Sequence, residues 1–95
     1  MATYRQIFGY FRNSREGREI KSSLYRDQLF MCCSCMKSFP INKLELHHMK
    51  SLSQCEKEGD LLNVTNHKNL VLLCRSCNAS QGANLDRRFT DEVID

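Results

Sequence analysis

The sequence has no tryptophan, a single proline and only 8% aromatic residues. Those absences exclude a large aromatic core, and a chain of 95 residues buries only about 60–65% of the surface it exposes when unfolded. At 41% hydrophobic it is still too apolar to be a disordered chain. The expectation is a single domain over residues 1–95 that needs a staple beyond its own packing. No apolar run reaches the roughly 18–20 residues of a membrane span, so no membrane partner is expected. Met1 to Gln6 holds no apolar stretch of signal-peptide length, and the reading is therefore an intracellular protein. Internal repeats and low-complexity segments are lacking too.

Cysteine is what the chain does have, six times over. In a reducing compartment, metal ligation is favoured over disulfide bonding. Cys32 and Cys35 form one Cys-x2-Cys knuckle, and Cys74 and Cys77 form another. Four thiolates in two such pairs match a closed tetrahedral structural zinc site. Buried reduced cysteines would have no reason to repeat that spacing. Cys33 and Cys55 are left over and are read as standing outside the metal site. A plain zinc ribbon separates its knuckles by roughly 15–20 residues. Here residues 36–73 intervene, and the histidine pair sits among them.

Charge is unevenly spread. Residues 1–26 carry Arg5, Arg12, Arg15, Arg18, Lys21 and Arg26 against Glu16 and Glu19, whereas the remainder is slightly acidic. Aromatic residues interleave these arginines, a composition suited to lying along a phosphate backbone, with Arg12, Arg15 and Arg18 as candidate DNA contacts. The competing reading is a helix face with solvated arginines and its aromatics turned inward.

Hydrophobic spacing predicts short helices over residues 4–11 and 18–29, with Asn13, Ser14 and Gly17 interrupting between them. A strand is expected over residues 43–49, a long loop over 51–67, and a helix starting near Cys74 or Ser76. A last helix is expected in the tail, where Leu85, Phe89 and Val93 recur at helical spacing.

Three further elements share the chain with the knuckles: the pair His47-His48, Asn69 followed by Leu70, and Asn78 directly behind Cys77. Taken singly each is unremarkable as a strand, turn or helix residue. Taken in this order, the arrangement resembles the HNH endonuclease family over about residues 30–83. That resemblance implies a small zinc-stapled α+β domain, a ββα-metal core of treble-clef kind flanked by helical segments at 1–29 and 84–95. It implies that His48 is the catalytic base, that His47 and Asn78 hold a divalent ion, and that Asn69 fixes the His48 backbone. The chain is thus an H-N-N variant, with Gln81 where the family often has lysine.

The chemistry stands beside the resemblance. Hydrolysing a phosphodiester requires an activated water and stabilisation of charge on the phosphate and leaving oxygen. A neutral imidazole at His48 can take a proton near neutral pH. With one imidazole and one amide oxygen as ligands, Mg²⁺ or Mn²⁺ suits the catalytic position better than Zn²⁺, and Ni²⁺ is a further candidate. His67 is a spare histidine. The expected activity is metal-dependent cleavage or nicking of DNA; the alternative is a zinc-stapled module that binds nucleic acid without cutting it. So small a domain would need a homodimer partner or a separate recognition protein for sequence specificity. Phage, mobile-element, restriction and repair settings all fit.

Overall fold

The computed structural model describes residues 2–80. Two helices open the chain, α1 (Tyr4–Asn13) and α2 (Arg15–Asp27). Thr3 starts α1 through a reciprocal capping box with Gln6: the Gln6 amide donates to Thr3 Oγ1 at 3.1 Å, and the Thr3 amide to Gln6 Oε1 at 2.9 Å. Ser14 both ends α1 and begins α2, its hydroxyl donating to the Phe11 carbonyl and accepting from the Gly17 amide. This cap is why α2 starts at Arg15, earlier than the expected 18. Gly17 lies inside the helix, where a Cβ would meet the Phe11 carbonyl oxygen at 2.0 Å. The absence of that Cβ lets the two helices cross closely.

Past α2, Leu29 and Phe30 turn the chain with φ of 55° and 67° and lead into the first cysteine knuckle. A 3-10 turn at Ile41–Lys43 then starts β1 (Leu44–His48). Next come α3 (Leu52–Glu58), α4 (Leu62–Thr65), a 3-10 turn at His67–Asn69 and β2 (Leu70–Cys74). Helical backbone follows directly, α5, over residues 75–80. The two strands pair antiparallel, with Leu44 opposite Cys74 and His48 opposite Leu70. A two-stranded sheet followed by a helix that carries the last cysteine and Asn78 makes this a small α+β domain. The expected tail helix and Gln81 lie outside the described residues.

The expected long loop over 51–67 is corrected: it contains α3 and α4. Ser51 caps α3 by accepting from the Gln54 amide at 3.1 Å, and Gly59 closes it at φ 66°. Each of these short helices buries one residue, Cys55 and Val64. One anchor per helix leaves no periodicity to read.

Two apolar clusters hold the elements together. One joins Leu44, Leu72 and Leu73 to Cys32, Cys74 and Cys77. The other joins Phe8 of α1 to Cys55, Val64 and Leu70, so that α1 packs over the sheet end where His48 sits.

Candidate active site and metal centre

The knuckles meet as their spacing requires. The sulfurs of Cys32, Cys35, Cys74 and Cys77 all lie within 4.8 Å of one another, and Cys35 Sγ is 4.0 Å from Cys74 Sγ. Four sulfurs around a tetrahedral ion with bonds of about 2.3 Å stand about 3.8 Å apart, so the donor set and its spacing fit a metal such as zinc. Burial raises the Cys32 thiol, but the backbone amides of Cys35, Cys74 and Ser34 aim at its sulfur and bring it down to about 6. Cys77 moves the other way, to about 12, through burial and the crowding of Cys74, Cys32 and Cys35. One sulfur is therefore poised as the thiolate that metal ligation needs. Cys33 and Cys55 stand outside this cluster, Cys55 with its sulfur 3.7 Å from the Lys50 carbonyl.

The same hairpin that closes the cysteine cluster brings His47 to Asn78. His47 Nδ1 is 3.0 Å from Asn78 Oδ1, and the Asn78 amide nitrogen donates to Glu45 Oε1 at 3.0 Å. Adjacent ligands of an octahedral ion with bonds of about 2.1 Å stand about 3.0 Å apart, so this nitrogen and oxygen fit two neighbouring positions of a divalent ion. Ligation requires His47 Nδ1 without its proton, and the contact to the amide oxygen is then replaced by the ion.

His48 ends β1 and turns toward the opposite side of the strand, as alternation dictates. It is 6% exposed. Its Nε2 lies 2.8 Å from the Val64 carbonyl oxygen, and its ring meets Phe8 edge-on with centroids 4.3 Å apart. A carbonyl oxygen only accepts, so Nε2 carries the hydrogen and Nδ1 is the basic nitrogen. Position, ring plane and tautomer are all set by the fold.

Asn69 is wholly buried and uses its side chain completely. Its Oδ1 accepts from the Lys50 amide at 2.7 Å, while its Nδ2 donates to the carbonyls of Lys50 at 3.1 Å and Asn63 at 2.8 Å. The anchored residue is thus Lys50, two positions beyond His48, and the Asn69 carbonyl adds a bond from the Met49 amide. Lys50 itself is buried, its ammonium 2.6 Å from Asp60 and 2.7 Å from Glu58. Hydrogen bonds to Asp60 and Glu58 hold that ammonium above its ordinary value, and Lys50 in turn lowers both carboxyls.

His47, His48 and Asn78 all open onto one groove of about 400 Å³, whose other wall is α1 with Arg5, Phe8 and Arg12. Arg12 also lies 5.9 Å over the Phe8 ring, and with Lys21 it lines the neighbouring depression around Asn78 and Glu45. Of the three arginines singled out in the sequence, Arg12 is on the groove. Arg15 is highly exposed and paired with Glu19 at 3.2 Å, and Arg18 is exposed on α2. His67 lines a separate depression with Ile20, Ser23, Leu24 and Asp27 of α2. Sequence reasoning did not single out Arg5, Phe8, Lys21, Glu45 or Val64 as site residues. Of these, Arg5 and Lys21 left a usable signal, as part of the basic segment.

A protein-family model described as HNH endonuclease matches residues 32–84. No curated protein matches the chain, and neither does any solved structure.

Proposed function

The chain belongs to the HNH endonuclease family, and on that premise we propose that it is a metal-dependent endonuclease or nickase that hydrolyses DNA phosphodiester bonds. One observation supports the reading: His48, held through Nε2 by the Val64 carbonyl, and the contacting pair His47 and Asn78 open onto the same arginine-lined groove. In this reading Cys32, Cys35, Cys74 and Cys77 hold a structural Zn²⁺. His47 and Asn78 would hold Mg²⁺ or Mn²⁺, which would supply Lewis-acid stabilisation of the charge developing in hydrolysis.

The protein's own residues do the rest. His48 Nδ1 takes a proton from the attacking water as the new phosphorus–oxygen bond forms and the bond to the leaving sugar oxygen breaks, that oxygen taking a proton from solvent. The Nε2–H bond to Val64 holds the ring and steadies the imidazolium. Phe8 excludes bulk water from one edge of that ring. Arg5 and Arg12 bind the flanking phosphates, and Arg15 and Arg18 extend the basic surface along α2. Asn69 and the Lys50 ion cluster keep the turn after His48 rigid, so the base does not drift from the groove. A single site cuts one strand per event, and nicking precedes any double-strand break.

The test is relaxation of supercoiled plasmid by the zinc-loaded protein with Mg²⁺ or Mn²⁺. Open-circle product that appears with the ion and vanishes in His48→Ala supports the nuclease. Tight DNA binding without nicking across both ions assigns the domain to non-catalytic binding instead.

A further inference from the structure

We propose that Glu45 is a positioning residue for the catalytic ion, acting through Asn78 by fixing which end of its amide faces His47. The inference rests on His47 and Asn78 being the ion's ligands. Glu45 lies two residues before His47 on β1, which puts both on one side of the strand. Its ladder partner is Leu73, immediately before Cys74, and the chain then enters α5, which returns Asn78 to the same edge. The three side chains form a short line: Glu45 Oε1 accepts from Asn78 Nδ2 at 3.0 Å, and Asn78 Oδ1 faces His47 Nδ1 at 3.0 Å.

The two ends of an asparagine amide are nearly identical in shape and opposite in chemistry. Its oxygen is a ligand for a hard cation; its NH₂ is not, and it would point hydrogens at the ion. His47 cannot decide between them, because Nδ1 is a donor in one tautomer and an acceptor in the other. A carboxylate can decide, because when ionised it only accepts. Glu45 therefore draws the NH₂ end to itself and leaves the oxygen for the ion. Its side chain is exposed on the strand and shares a depression with Arg12, Lys21 and Asn78.

The experiment measures Mn²⁺ affinity of the full-length, zinc-loaded protein by the electron paramagnetic resonance of free Mn²⁺, with no DNA present. Glu45→Ala should weaken Mn²⁺ binding by about 10- to 100-fold, the usual effect of losing a group that orients a metal ligand. Glu45→Gln can either accept from the Asn78 NH₂ or donate to its oxygen, so it no longer chooses the end and should weaken binding nearly as much as Glu45→Ala. In an Asn78→Asp background both oxygens are equivalent, no end needs choosing, and adding Glu45→Ala should cause no further loss. His47→Ala is the reference for the ion site itself. If His47→Ala weakens binding and Glu45→Ala does not, the positioning role is wrong and the ion site stands. If Glu45→Gln binds Mn²⁺ like wild type, an acceptor-only partner is not needed and the amide argument fails. If His47→Ala binds Mn²⁺ like wild type, the ion site itself is misassigned, and this inference falls with it.

Discussion

His48 donates from Nε2 to the Val64 carbonyl oxygen across 2.8 Å, a bond between the last residue of β1 and the middle of α4. It ties α4, between the strands, to the candidate site. The bond sets the tautomer, α4 sets the carbonyl, and Asn69 secures the segment by accepting from the Lys50 amide and donating to the Asn63 carbonyl.

Asn69→Ala should therefore affect stability and catalysis together. It strips partners from the Lys50 amide and from two carbonyls at a fully buried position. Leaving such a group unsatisfied costs about 1–3 kcal/mol. Urea unfolding of the zinc-loaded variant measures the loss, and wild-type stability would show that the clamp contributes nothing.

Metal removal should unfold the domain, because Leu72 and Leu73, two of its largest fully buried side chains, cluster with Cys32, Cys74 and Cys77. Cys74→Ser should match chelation in circular dichroism, and Cys33→Ser should fold and retain the metal. A folded protein with no bound zinc would contradict the staple.

The Lys50 cluster predicts an acid-sensitive contribution to stability. Glu58 and Asp60 titrate below their ordinary 4.5 and 3.8 because Lys50 bonds to them. Folded carboxyls of lowered value bind fewer protons than unfolded ones, so their contribution is full above that range and is lost as pH falls through the lowered values. Lys50 is raised above 10.5, so its share persists up to that pH and is lost only beyond it. Asp60→Asn should lower the melting temperature at neutral pH, with the gap to wild type closing in acid. A gap independent of pH would show that the ion pairs are not the cause.

Arg5 and Arg12 should carry the salt dependence of DNA binding. Each phosphate contact contributes about 0.9 to the slope of log affinity against log salt, so Arg5→Gln with Arg12→Gln should lower it by about 1.8. Arg15→Gln should lower it less, since Arg15 is already paired with Glu19. An equal effect from Arg15 alone would move the contact surface to α2.

Much of this site is legible along the chain because its chemistry is local. Two Cys-x2-Cys pairs, a histidine pair and an asparagine behind the last cysteine keep fixed sequence offsets to the knuckles. What escapes is whatever depends on distant segments meeting. Phe8 against His48 and Asn78 against Glu45 follow from how α1 and α5 dock, and no spacing rule encodes that. The short helices α3 and α4 escape for a different reason: their anchoring comes from Ser51, Gly59 and single buried side chains rather than a hydrophobic stripe. For Asn69 the family resemblance alone implies a clamp, and on the His48 backbone; the folded turn shows it gripping Lys50 instead.

The most direct measurement of the central claim is cleavage rate against Mg²⁺ or Mn²⁺ concentration for His48→Ala and His47→Ala beside wild type. Removing the base should lower the rate by about 10²–10⁴-fold at every ion concentration, because His47 and Asn78 still hold the ion. Removing the ligand should give a defect that shrinks as the ion is raised. Rescue of His48→Ala by excess ion, with His47→Ala left dead, would reverse the two roles. Wild-type rates in both variants would contradict the nuclease mechanism outright.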